Sequence, residues 1–147
     1  MIDDIEKAKQ KAFLILGYGA YSARATKGKL IQKGFSEEAA ESAVAHLVEK
    51  GYIDEERDAV RICESLIRKK YGRKRILSAL SAKGYGDEAT AAAEEFLDTV
   101  DFVELCRDAI KIKLGSFPKD RAEIQKAIAK LVALGYNVGE IKSAVRQ

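Results

Sequence analysis

The sequence is poor in the residues that most chemistry needs. Its 147 residues include no Trp, one His (His46), one Met, one Pro (Pro118) and two Cys (Cys63 and Cys106). Two thiols cannot build a disulfide framework or an all-cysteine zinc centre. One imidazole excludes a histidine cluster within the chain. No apolar run approaches the ~20 residues that a membrane-spanning helix needs. The opening stretch from Met1 to Gln10 is acidic and polar, unlike a secretory signal. Walker, G-x-G-x-x-G and G-x-S-x-G motifs are all missing. Gly17-Tyr18-Gly19 lacks a strand-to-helix context and reads as a connection. These shortages imply a cytoplasmic protein that is not an enzyme and carries no metal or cofactor.

What is present favours helices. Hydrophobic residues make up 47% and charged residues 33%, a balance that supports a buried core rather than disorder. Ala, Leu, Lys and Glu are abundant, and period-two alternation of β-branched residues is missing. The formal charge of +3 is mildly basic and suits nucleic acid or an acidic protein without proving either.

The chain also repeats itself. Lys33-Gly34-Phe35, Lys83-Gly84-Tyr85 and Leu134-Gly135-Tyr136 place Gly before an aromatic at intervals of 50 and 51 residues. Each follows a helical pattern, as expected of a helix closed by a left-handed Gly with the next side chain folded back on the last turn. Asp4, Asp54 and Asp101 each precede an apolar-periodic run, where an N-cap belongs. The Asp-to-Gly spans are 30, 30 and 34 residues, and the extra four are expected at Ser116-Phe117-Pro118-Lys119.

The pattern predicts three units of three helices, spanning 1–52, 53–100 and 101–147. First helices are expected at 4–16, 54–70 and 101–114, second helices at 22–33, 72–83 and 118–134, and third helices at 36–50, 87–99 and 138–146. The buried stripes of the first helices read Ile5, Ala8, Ala12 and Leu16, then Ala59, Ile62, Cys63, Leu66 and Ile67, then Phe102, Leu105, Cys106, Ala109 and Ile112. Ser22, Gly72, Ser36 and Asn137 fit as N-caps, and Pro118 fits a first helical position. Ala43, Ala93 and Ala144 fall in register, as close helix approach at a small residue requires. A unit of about 50 residues is marginal alone, so the units should pack into one all-α array, longer than it is wide.

Gly51-Tyr52-Ile53-Asp54-Glu55-Glu56-Arg57-Asp58-Ala59 resembles a signature of the bacterial RecX family, roughly Gly-aromatic-aliphatic-Asp-Asp/Glu-x-Arg-Phe-Ala. Tyr21-Ser22 with Lys29-Leu30 and Lys33-Gly34-Phe35, and Gly72 with Arg75-Ile76, Leu80 and Lys83-Gly84, are similar to further elements of that family. Departures are Asp58 in place of Phe, Ala25-Thr26 in place of Glu-Leu, Arg73 in place of Pro and Ala79 in place of Glu. The resemblance implies a curved, monomeric array of three-helix repeats that lies in the groove of the filament formed by the RecA recombinase on DNA. It implies RecA and the RecA–DNA filament as partners, inhibition as the usual effect, and a role in recombination, DNA repair and the SOS response. Weak direct DNA binding is compatible with it, and no membrane is involved.

Arg68-Lys69-Lys70-Tyr71-Gly72-Arg73-Lys74-Arg75 carries six positive charges in eight residues, with one aromatic among them. It can meet DNA phosphates or an acidic RecA surface. It can equally be a solvated face whose cations favour the end of the preceding helix. A smaller stripe, Arg24, Lys27 and Lys33, lies on one side of the second helix with Lys29 off the line, and an ordinary wet face explains it as well. The acidic group Asp54, Glu55, Glu56 and Asp58 suits a helix first turn. Phe35, Tyr52, Tyr85 and Tyr136 read as caps and core edges, and the cysteines as small hydrophobes.

Overall fold

The computed structural model describes residues 1–146; the last residue of the expected third unit lies outside them. All regular structure among the described residues is helical, apart from one isolated parallel bridge between Ile2 and Phe35. The first unit holds α1 (Ile5–Leu16), α2 (Ala23–Gln32) and α3 (Glu37–Glu49). The second holds α4 (Glu55–Arg68), α5 (Arg73–Ala82) and α6 (Asp87–Leu97). The third holds α7 (Phe102–Ala109), which continues as a π-helical turn over Ile110–Leu114, then α8 (Arg121–Ala133) and α9 (Val138–Val145).

Local chemistry explains most boundaries. Asp4, Ser22, Ser36, Asp54, Asp101 and Asn137 each accept a backbone N–H of the helix they precede, and Asn137 with Glu140 forms a reciprocal capping box. The second helices end as the spacing predicts. Gly34, Gly84 and Gly135 have φ of 101°, 88° and 109°. The aromatic N–H after each reaches back to the carbonyl of Leu30, Leu80 and Leu131, the Schellman closure.

Within each unit the first and third helices pack most closely, and the second packs on the third. Ala43, Ala93 and Ala144 are fully buried, so a small side chain does stand at each close approach. The buried apolar residues form two separate clusters. One fills the first unit from Ala8 to Ile53; the other runs continuously through the second and third, from Ala59 to Ala144.

Four expectations fail, each for a local reason. The four extra residues of the third unit are not a loop insertion at 116–119. From N-cap to closing Gly, α8 takes 15 residues where α2 and α5 take 12, so three of the four lengthen the helix. The fourth is absorbed ahead of it, where the π turn widens the winding, as a one-residue insertion into a helix does. That turn also rotates the end of the stripe: Ile110 is buried and Ile112 is 66% exposed. Pro118 is not helical, because Asp120 is the N-cap, accepting from Glu123 N–H, and α8 starts at Arg121, three residues later. In α1, Ile5 is 42% exposed and the buried residue of the last turn is Ile15, with Leu16 only half-buried.

Candidate partner and nucleic-acid interface

The long basic run occupies the joint between the second and third units. Here the start of α5 meets the end of α8 backbone to backbone. Gly72 N–H donates to the Leu134 carbonyl (2.8 Å) and Lys74 N–H to the Gly135 carbonyl (3.2 Å). A Cβ on Gly72 would lie 2.3 Å from the Gly135 carbonyl carbon, and one on Gly135 2.7 Å from the Arg75 Cβ. Only glycine permits this approach, and Gly135 also needs its positive φ. The Tyr136 hydroxyl donates to the Lys70 carbonyl at 2.7 Å and ties the same joint. Lys70 itself has φ 68°, a lysine closing α4 where α2, α3, α5 and α8 are followed by Gly of positive φ.

The run therefore divides its work. Arg73 is bound to Asp98 (2.8 Å), and Arg75 donates to the Ala133 carbonyl (3.3 Å) while its guanidinium lies 4.1 Å from the centre of the Tyr71 ring. The Lys113 ammonium stands 5.3 Å from the same ring. Arg68, Lys69 and Lys74 are exposed, and no hydrogen bond of their side chains occurs among the described residues. Tyr71 is thus half-buried between two cations from different units. Lys113 was not legible in the sequence, because only the π turn and the folding of unit three beside α5 bring it there.

The shorter stripe does not assemble. Lys27 turns toward α3 and is bound by Glu41 (2.7 Å) and Glu37 (3.1 Å). The hydrogen bonds that its ammonium donates to Glu41 and then Glu37 hold its pKa above the ordinary lysine range. Arg24 lies beside Gly84, at the joint between units one and two. Lys33 instead shares a groove with Lys29 and Lys11 from α1, lined by Leu14, Ile15, Tyr18 and Tyr21. The Lys29 ammonium sits 4.8 Å from the centre of the Tyr21 ring. Lys29, off the line on a helical projection, joins Lys33 because α1 ends against that side of α2.

Tyr21 and Tyr71 hold equivalent places, each just before the N-cap of a second helix, and each meets a cation. The joint between units one and two repeats the same plan with looser, polar contacts. The Ser22 hydroxyl donates to the Lys83 carbonyl (3.1 Å), and Ala23 N–H donates to the Glu55 carboxylate (2.8 Å). At the equivalent glycine of unit one, Ile2 N–H donates to the Gly34 carbonyl at 2.7 Å.

The acidic group near Asp54 behaves as a helix first turn: Asp54 caps Arg57, and the buried Asp58 pairs with Arg57 at 3.3 Å. No group of His, Cys, Asp and Glu side chains that could hold a metal occurs among the described residues. Burial pushes both the Cys63 and Cys106 thiols up to about 11, and each side chain lies within an apolar cluster. No helix is long and apolar enough to cross a membrane among the described residues.

Comparison with known proteins agrees with this architecture. The family model described as RecX, first three-helix domain, matches residues 8–47. The chain is similar to the "Regulatory protein RecX" of Stenotrophomonas maltophilia, 31% identical over 93% of this chain and 84% of that one. It is similar to the protein of the same name from Pelodictyon phaeoclathratiforme, 32% identical over 92% and 84%. The fold matches the crystal structure of RecX from Lactobacillus salivarius with a TM-score of 0.79 at 19% identity, covering 97% of this chain and 94% of that one. Identity of this order over nearly the whole length, on a shared array of three-helix repeats, places the chain in the RecX family of regulatory proteins.

Proposed function

We propose that this protein is a non-enzymatic modulator of the RecA recombinase, inhibiting it by binding RecA and the RecA–DNA filament during recombination and repair. The observation that carries the reading is the match, across most of its length, to proteins named as RecX regulators. The geometry is compatible with it. An array whose units meet at fixed joints presents contact groups at repeat spacing, which suits a partner that is itself a polymer. The proposed contact residues are Arg68, Lys69, Lys70, Tyr71, Lys74 and Arg75, with Lys113 added. Arg73 and Lys27 are tied to carboxylates, and Arg24 lies at a joint, so they contribute less.

A second reading is favoured by the Tyr71 cluster. The cations gathered around Tyr71, with exposed Arg68, Lys69 and Lys74 beside them, suit the phosphates of a single DNA strand directly. Two measurements on the intact protein separate the readings. The first is DNA-dependent ATP hydrolysis by RecA, and the second is binding to naked single-stranded DNA across a salt series. Inhibition at substoichiometric protein with weak DNA affinity supports RecA modulation. Tight DNA binding with a steep salt slope, and no effect once RecA saturates the DNA, supports the alternative. In either case Arg68, Lys69 and Lys74 changed together to Ala should weaken the interaction while helix content stays constant. Undiminished interaction in that variant would remove the basic run from the contact surface.

A further inference from the structure

Exposed apolar surface is distributed unevenly. Of twelve large apolar side chains that stand exposed among the described residues, nine belong to residues 1–52. Four of them gather at the end of α1 and the turn that follows α3: Phe13 is 53% exposed, Leu14 60%, Tyr18 88% and Tyr52 53%. Leu14 stands between two shallow grooves. One is lined by Phe13, His46, Leu47 and Tyr52 with Glu6 and Lys9 at its edge; the other is the Tyr18–Tyr21 groove carrying Lys11, Lys29 and Lys33. Across both, four lysines face one carboxylate, and that carboxylate is already paired with Lys9 at 3.3 Å.

We propose that this face docks an acidic amphipathic segment of a protein partner, with its apolar side chains on Phe13, Leu14 and Tyr18 and its carboxylates on Lys11, Lys29 and Lys33. Three observations select that occupant. The charge is one-sided, which calls for an anionic partner. The apolar component is aliphatic as well as aromatic, the composition of a protein-binding core rather than of a wet, polar nucleic-acid contact. The aromatic faces are also largely taken. Phe13 and Tyr52 pack edge to face at 5.1 Å, and Lys29 covers Tyr21, which leaves Tyr18 as the one open ring for a base to stack on. A helix presenting apolar residues at three- and four-residue spacing with flanking glutamates matches a groove of this kind.

The proposal goes beyond the RecA reading and can fail without it, because its readout is peptide binding rather than RecA activity. The probe is a synthetic peptide of about 20 residues with Leu and Phe on one helical face and Glu on both flanks. Its counterpart carries Lys at every Glu position. The expected result is saturable binding of the acidic peptide to the intact protein, followed by fluorescence anisotropy, and no binding of the basic one. Leu14→Ser with Tyr18→Ser, and separately Lys29→Glu with Lys33→Glu, should each weaken binding by about tenfold or more. These side chains are at least partly exposed, so helicity and thermal midpoint should stay near wild type. No binding, equal binding by the variants, or displacement by oligothymidylate acting through the same residues would overturn the proposal. So would self-association abolished by the Leu14 and Tyr18 changes, since the face would then belong to a second copy of this chain.

Discussion

Tyr85 and Tyr136 stand at the same place in successive units, after the closing Gly of a second helix, and both are buried. They differ in one bond. Tyr136 donates to the Lys70 carbonyl, whereas the Tyr85 hydroxyl is buried without a partner among the described residues. A buried hydroxyl that makes no bond keeps its desolvation cost, while one that is bonded contributes on the order of 1 kcal/mol. Tyr85→Phe should therefore leave stability unchanged or raise it by up to about 1 kcal/mol, and Tyr136→Phe should lower it by about 1–2 kcal/mol, read as urea midpoints. Equal losses would mean that the Lys70 bond adds nothing.

The same buried groups set an alkaline limit. Burial pushes Cys63 and Cys106 from 9.0 to about 11. Burial, then the charges of Asp58 and Glu55, pushes Tyr85 up to about 12, and burial raises Tyr136 further. Each group holds its proton more tightly when folded, so its contribution is complete below its unfolded value and is lost as the pH rises through its folded one. Stability should hold to about pH 9 and decline from there toward 12, seen as a falling thermal midpoint. Tyr85→Phe should soften the decline. A midpoint that is flat from 9 to 11 would contradict the burial of these thiols.

At the scale of elements, the controlling feature is the glycine contact between α5 and α8. Gly72 has an ordinary φ of −80°, so its need for Gly is steric. An added methyl has no flexible side chain to displace, because the obstructing atoms are the backbone of Gly135 and Tyr136. Gly72→Ala should cost about 2–3 kcal/mol, the scale of overpacking a close contact. Gly28→Ala, in the middle of α2 with open space around its Cβ, should gain up to about 1 kcal/mol by helix propensity. If both were neutral in chemical denaturation, the close joint would be wrong. Helix positions were legible because caps and Gly closures are local signals. The π turn after Ala109 was not, since the heptad-like spacing of Ala109 and Ile112 is satisfied equally well by an α-helix.

At the scale of the whole molecule, the two joints are unequal. Units two and three share one apolar cluster and meet through glycine backbone, while unit one has its own cluster and meets unit two through Ser22–Lys83 and Ala23–Glu55. The 11 buried residues of the unit-one cluster serve that unit alone, whereas the 18 of the other cluster are shared between two units, so unit one can open without breaking the core of its neighbours. Local opening follows such differences. Amides of α2 and α3 should exchange with solvent faster than those of α5 and α8, and urea should release unit one first. A single coincident transition with uniform protection would show that the polar joint couples the units as firmly as the glycine one.

The sequence by itself determined the helical class, the three repeats, the N-caps at Asp4, Asp54 and Asp101 and the closures at Gly34, Gly84 and Gly135, because each depends on residues within one or two turns of one another. Its long basic run was visible as charge, but its division of labour was not. Only the tertiary structure decided that Arg73 and Arg75 are held within the array, that Lys113 approaches Tyr71, that Lys27 turns to Glu41, and that Lys29, Lys33 and Lys11 share a groove with Tyr18. These are meetings between segments tens of residues apart, and no helical period encodes them. They follow from how neighbouring units dock, which the close approach of Gly72 to Gly135 permits and the side chains around it then use.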